Sequence, residues 1–290
     1  MTFHNLFTFI PFGFISWDPE RIAFTIPYFN IAIMWYGIFF ALGFVAAYFI
    51  FISTATRYCT SANVTVYKFA DTLLWYILLG TLIGARLGHV LFYDLDYYLA
   101  NPIEIIMIRN GGLASHGGSA GVLLALFLFV KFNKKRFPNL TYLALIDLIA
   151  IPTPLVGCFI RIGNFFNQEI VGTATNFPLA IIFQHPAEPV LPIQRHPAQL
   201  YEAFAYLLIF IVLYAVWNVK RENVKPGTLS GLLFILVFGA RFLIEFVKIP
   251  QDAHQMIAHL QTGQILSLPF ILLGILLLFW PSKKFMQDID

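Results

Sequence analysis

Between Gly157 and Gly172 the chain reads GCFIRIGNFFNQEIVG, which gathers Arg161, Asn164, Asn167, Gln168 and Glu169 into nine residues at the end of an apolar run. A guanidinium keeps its charge at any relevant pH, and its planar fork fits the paired oxygens of a phosphate or carboxylate. Amides and a carboxylate beside it can orient such an anion. Further groups stand out in apolar surroundings: Arg241 with Glu245, Tyr36 in MWYG, and His116 in GGLASHGGSAG, a residue type that exchanges protons near neutral pH. Each has a purely structural counterpart. Arg161 has the length to snorkel from a helix end. Arg241 and Glu245, four apart on one helical face, can pair with each other. The glycines around His116 suit a small-xxx-small packing seam at Gly117–Gly121, and Tyr36 suits an aromatic belt.

The elements that must position these groups belong to a membrane. The chain is 59% hydrophobic and 17% aromatic with a mean hydropathy of +0.76. Its 11% of charged residues compares with about 25% in soluble domains. The expected fold is an all-α integral membrane protein, one membrane domain over residues 1–290. Its seven transmembrane helices are predicted at about 29–51, 69–92, 112–132, 141–159, 199–217, 229–247 and 264–280, each able to cross the roughly 30 Å hydrocarbon core. Basic residues set the orientation. Arg57 and Lys68, then Lys131, Lys134, Lys135 and Arg136, then Lys220, Arg221 and Lys225, and finally Lys283 and Lys284 fall on alternate connections. The positive-inside rule makes that side cytoplasmic, with the N-terminus outside and the C-terminus inside. The net charge of +3 follows from this distribution and implies no nucleic-acid partner.

An ionised side chain at the centre of a membrane helix costs roughly 2.5–3.5 kcal/mol on insertion scales. Arg86, Arg161, Arg241, Glu202, Glu245 and His116 are all predicted in the outer half of the membrane or near its outer face. Convergence on one layer points to a site rather than to a purely structural bundle. On that outer side, residues 166–197 form the longest connection, a small periplasmic loop or head with short strands such as Leu179–Phe183. Phe3 to Ile15 is predicted to be an N-terminal interfacial arm. With no Lys or Arg in the first twenty residues, and Pro11 and Gly13 in the run, no cleavable signal peptide is expected. Cys59 and Cys158 fall near opposite faces and form no disulfide framework. His4, His254 and His259 lack metal-ligand spacing, and no HExxH, P-loop or GxGxxG occurs. No metal and no cofactor are expected.

Taken together, these motifs resemble the bacterial prolipoprotein diacylglyceryl transferase family. Its signature, G-x-x-R-x-G-N-F-x-N-x-E-x-x-G, is matched by Arg161, Gly163, Asn164, Phe165, Asn167, Glu169 and Gly172, with Gly157 one residue further from the arginine than in the shortest form of the pattern. The resemblance continues in order through MWYG at Met34–Gly37, GARLGHVLFYD at Gly84–Asp94, GGLASHGG at Gly111–Gly118, RHPAQLYE at Arg195–Glu202 and RFLIEFVKIPQDAHQ from Arg241. It implies a seven-span enzyme of the bacterial inner membrane with its active site near the periplasmic face. Its partners would be phosphatidylglycerol, a preprolipoprotein signal peptide with its lipobox cysteine, and the lipid bilayer. The implied reaction moves a diacylglyceryl group onto that cysteine, leaving a thioether and glycerol phosphate. By the same resemblance Arg161 and Arg241 bind and neutralise phosphate, and His116 is the base for the thiol. Tyr36, Asn164, Glu169, Gly172 and Glu245 occupy the matching lipid-site positions. Two positions depart from the pattern: Val237 and His89 stand where the family often has Tyr.

Two other readings fit the composition: a transporter or flippase with a pocket for anionic lipid, and a different lipid-dependent transferase with the same phosphate clamp. For the transferase, electrostatics should outweigh acid–base chemistry. A thiol with a pKa near 8.5 is ionised at pH 7 for only about 2 kcal/mol. Displacing a phosphate ester from an alkyl carbon builds charge that fixed cations stabilise directly.

Overall fold

The structure, a computed structural model, describes residues 7–9, 15–28, 30–59, 65–107, 111–138, 140–220, 223–250 and 260–279. Among these residues the helices are α1 (Trp35–Cys59), α2 (Val66–Phe92), α3 (Leu95–Ala100), α4 (Ser115–Phe132), α5 (Tyr142–Ala150), α6 (Thr153–Phe166), α7 (Ala198–Lys220), α8 (Thr228–Ile244) and α9 (Thr262–Phe279). The strands are β1 (Phe7–Phe9), β2 (Ile15–Trp17), β3 (Ile22–Ile26), β4 (Ile31–Met34), β5 (Ile181–Phe183) and β6 (Gln194–Arg195). Five helices, α1, α2, α7, α8 and α9, are long and apolar enough to cross a membrane, and α5 with α6 passes the same test as one broken span. The apolar stretch His116–Phe132 is shorter. The protein is thus mostly helical and multi-pass. Its outward side chains agree, since Phe49, Trp75, Phe204 and Leu243 are each more than three-fifths exposed, an arrangement suited to hydrocarbon rather than water.

One predicted span needs correction. The sequence predicts a single helix over 141–159, but the run breaks at Ile151–Pro152 and resumes as α6, which continues to Phe166. Proline in a helix interior removes a donor and clashes with the preceding turn, whereas Pro154 in the first turn of α6 loses nothing. Arg161 and Asn164 therefore lie inside a helix, three residues apart on one face, rather than at its end.

The chain forms two compact units, one from Met1–Ile50 and Ile149–Gln287, the other around Phe51–Leu148. In the second unit α2 and α4 meet along glycines. Gly80, Gly84 and Gly88 interleave with Gly117 and Gly121, and a Cβ at Gly88 would lie 2.7 Å from the Gly117 Cα. The predicted seam at Gly117–Gly121 is present, and its other half comes from α2. Arg86, only 5% exposed, closes the end of this pair. Its guanidinium donates to the carbonyls of Ile105 at 2.8 Å, Gly111 at 2.6 Å and Gly112 at 3.0 Å, and also to that of Glu104. It lies 4.9 Å over the Tyr98 ring.

The first unit holds a four-stranded sheet in the order β1-β2-β5-β6. β2 pairs with β5 in parallel, Trp17 opposite Phe183, and with β1 antiparallel, Trp17 opposite Phe7. The strand expected near Leu179–Phe183 is observed as β5. The described residues of the N-terminal arm join that sheet: Phe7–Phe9 form β1 and Ile15 opens β2. Apolar Phe-rich sequence reads alike in both settings, and only pairing over more than 160 residues separates them. Trp17, Phe165, Val171, Ile181 and Phe183 form a core beneath the sheet. The Trp17 indole N–H donates to the Phe165 carbonyl at 2.9 Å, and the two rings stack at 4.4 Å. The signature phenylalanine thus anchors the C-terminal end of α6.

Candidate functional site

Within the first unit the signature helix α6 is approached closely on two sides. A Cβ at Gly157 would fall 2.9 Å from the Tyr206 ring of α7, and one at Gly163 would fall 3.0 Å from the Tyr36 ring of α1. The glycines admit these rings, Tyr36 against Gly163 and Tyr206 against Gly157, on the helix that carries Arg161 and Asn164.

Arg161, with 12% of its side chain exposed, places its Nε 2.9 Å from Oε2 of the fully buried Glu202. That oxygen has no aligned hydrogen-bond donor, so the contact is an ion pair in which direction is poor and Coulombic attraction dominates. The guanidinium also donates to Asn164 Oδ1 at 3.2 Å. Asn164 Nδ2 then donates to Glu169 Oε2 and Asn167 Nδ2 to Glu169 Oε1, both at 2.9 Å. A polar relay thus runs Arg161, Asn164, Glu169, Asn167. The other oxygen of Glu202 meets Lys248 Nζ at 2.8 Å, and Lys248 reaches Glu245 at 3.3 Å. Burying charges without partners costs several kcal/mol per ion, which explains why Glu202 carries two cations.

Lys248 is the residue that the sequence reading missed. It is 5% exposed because the backbone after α8 is stitched to the signature loop: Thr173 N–H donates to Val247 O at 2.8 Å, and Gly172 forms an antiparallel bridge with Lys248. Gly172 lies at this crossing, where a Cβ would fall 2.6 Å from that of His196 and 2.8 Å from Val247 O. The available signal was its place in EFVKIP, a lysine three residues after Glu245 and among apolar neighbours.

Arg241 and Glu245 do not form the i,i+4 pair that the sequence allowed. Helix α8 ends at Ile244, and Glu245–Val247 tightens into a 3-10 turn, in which residues three apart eclipse. Glu245 accordingly faces Lys248. It also lies against the first turn of α9, where a Cβ on Gly263 would collide with its carboxylate. The Arg241 guanidinium has no ion-pair or hydrogen-bond partner among the described residues. Arg241 and Arg161 both lie within electrostatic reach of the Tyr206 hydroxyl on α7, as does Glu202.

His116 belongs to the second unit, in the first turn of α4, where it is exposed. His89 there lies 3.2 Å from Asp94 and stacks on Tyr93 at 5.4 Å. Val237 is partly buried. Outside the spans, burial lowers the Arg195 guanidinium from its ordinary range, and Glu188 opposes the shift. The described residues contain no group of three or more His, Cys, Asp or Glu side chains arranged for a metal. The loop with Asp252, His254 and His259 lies outside them.

Apolar helices long enough to cross a membrane, one broken span and a buried network of cations and carboxylates in the first unit define a polytopic membrane protein. A family model for prolipoprotein diacylglyceryl transferase matches residues 21–280. A phosphatidylglycerol–prolipoprotein diacylglyceryl transferase of Tolumonas auensis is 44% identical, covering 88% of this chain and 93% of its own length. Proteins of the same name from Protochlamydia amoebophila and Chloroherpeton thalassium are 38% and 39% identical, covering 92% and 94% of this chain and 95% and 96% of their own lengths. The chain belongs to the prolipoprotein diacylglyceryl transferase family.

Proposed function

We propose that the protein is a phosphatidylglycerol–prolipoprotein diacylglyceryl transferase, the first enzyme of bacterial lipoprotein maturation. It transfers the diacylglyceryl group of phosphatidylglycerol to the thiol of a lipobox cysteine. The observation that carries the reading is the pair of arginines within electrostatic reach of Tyr206, one balanced by Glu202 and one without a described counter-charge. The three cations Arg161, Arg241 and Lys248 are matched by Glu169, Glu202 and Glu245, yet the matching is uneven, and the excess positive field is at Arg241. A lipid phosphate satisfies it.

In this reading the cysteine sulfur attacks the glyceryl carbon that bears the phosphate. The carbon–oxygen bond breaks, its electron pair leaves with glycerol phosphate, and His116 takes the thiol proton. Arg161 and Arg241 neutralise the leaving oxygen, while Tyr36, Asn164, Glu169, Gly172 and Glu245 shape the headgroup site. Since preorganised charge is usually the largest catalytic contribution, the arginines should matter more than His116. The protein would sit in the inner membrane with seven spans, α4 and the broken α5–α6 included, N-terminus outside and C-terminus inside. Residues 166–197 would form the periplasmic head.

The test uses purified protein, labelled phosphatidylglycerol and two lipobox peptides, one with Cys and one with Ser. Covalent lipid on the Cys peptide alone is the expected result. No covalent product with either peptide would overturn the reading in favour of a transporter.

A further inference from the structure

The signature loop holds two non-glycine residues in the left-handed region, Gln168 at φ 56° and Ile170 at φ 58°, one on each side of Glu169. For a β-branched residue such a φ is a genuine outlier, and it persists only where the surroundings over-determine it. Here they do so through the segment Gln184–Glu188, which follows β5. His185 N–H donates to Gln168 Oε1 at 2.8 Å, and Ala187 N–H donates to the Gln168 carbonyl at 2.9 Å. The Ile170 N–H donates to a Glu188 carboxylate oxygen at 2.5 Å.

The segment is itself fastened to the chain around β2. Gln184 donates from its N–H to Trp17 O at 3.2 Å and from its side chain to Ser16 Oγ at 2.7 Å. Arg21 donates to His185 O at 3.1 Å. On its other side the loop is held by Gln199, whose Nε2 donates to Glu169 O at 2.6 Å. Pro186 within the grip and Pro189 just after it limit the backbone freedom that would loosen it. Between these two left-handed residues the Glu169 carboxylate meets Asn164 and Asn167 together.

We propose that Glu188 is a positioning residue for the transfer reaction: by accepting the Ile170 N–H it locks the loop so that Glu169 faces the Arg161–Asn164 relay. This rests on the function proposed above. Glu188 makes no contact with the reacting atoms; it acts through the backbone of Ile170. A carboxylate suits the task because hydrogen bonds to charged acceptors are roughly twice as strong as neutral ones.

The experiment has two independent arms in purified protein: amide hydrogen exchange over residues 166–172, and steady-state transfer. Glu188→Ala should raise exchange there by roughly tenfold or more and raise KM for phosphatidylglycerol by a similar factor, with the peptide KM unchanged. Glu188→Gln keeps an acceptor and should stay within about threefold of wild type in both arms. Adding Ile170→Gly to Glu188→Ala should recover most of the transfer, because glycine adopts the left-handed conformation freely. A purely structural role in the sheet would not be rescued at Ile170. Unchanged exchange in Glu188→Ala overturns the lock, and raised exchange with unchanged lipid KM overturns its part in the reaction. A wild-type protein that makes no product sinks the functional reading, while the exchange arm still decides whether Glu188 holds the loop.

Discussion

Arg86 and Arg241 look alike in the sequence, each an arginine toward the C-terminal end of an apolar helix, and their surroundings differ. Arg86 donates to the backbone carbonyls of Glu104, Ile105, Met107, Gly111 and Gly112 and lies over Tyr98. Its donors have partners inside the fold, so it has little to offer a ligand. Arg241 lies within electrostatic reach of Tyr206 but pairs with no carboxylate among the described residues, because the 3-10 turn that follows α8 turns Glu245 to Lys248. An intramembrane arginine is therefore informative less for being charged than for what remains unmatched once its neighbours are counted. Arg161 falls between the two, paired with Glu202 and still directed along its helix to Asn164.

The comparison can be broken by substitution. The largest effect is expected at Glu202, where Glu202→Gln leaves Arg161 and Lys248 without a buried counter-charge and should lower stability by about 3–5 kcal/mol in detergent unfolding. Arg241→Lys comes next: it should keep the unfolding midpoint near wild type and reduce turnover by about 10²–10³-fold, read in the lipid-transfer assay. Arg86→Leu should do the reverse, losing about 3 kcal/mol of stability through its unsatisfied carbonyls while the folded fraction keeps its turnover. If Arg86 and Arg241 variants behaved alike, the division between a structural and a functional arginine would fail. His116→Asn should reduce turnover by about 10²-fold, the low end for a general base and less than the arginine variant in the same membranes. Gly121→Ala, at the α2–α4 seam, should cost about 1–3 kcal/mol by overpacking and leave KM for lipid unchanged.

Much of this was legible before any coordinates. Composition and hydropathy predicted a multi-pass helical protein, and the order of short motifs predicted the family. The glycines at 117 and 121 announced a close helix contact, since residues without side chains serve few other purposes on an apolar face. Less legible was the break at Ile151–Pro152. Membrane helices often tolerate proline, so Pro152 and Pro154 alone did not say that α6 would start there and carry Arg161 into its interior. The strands β1 and β2 were hidden for another reason: β2's partner β5 lies more than 160 residues away, β1 joins the sheet through β2, and local apolarity is the same for an interfacial arm and a sheet strand.

By itself the sequence determined the solvent, the helical periodicity and the kinds of groups available, because these follow from side-chain chemistry summed over a short window. The tertiary structure decided which charges cancel. Glu202 could have served either Arg161 or Arg241; it took Arg161 and Lys248 because α6, α7 and the segment after α8 bring those three side chains together. Coulombic energy depends on distances of a few ångströms between residues far apart in the chain, and no spacing along the sequence encodes them.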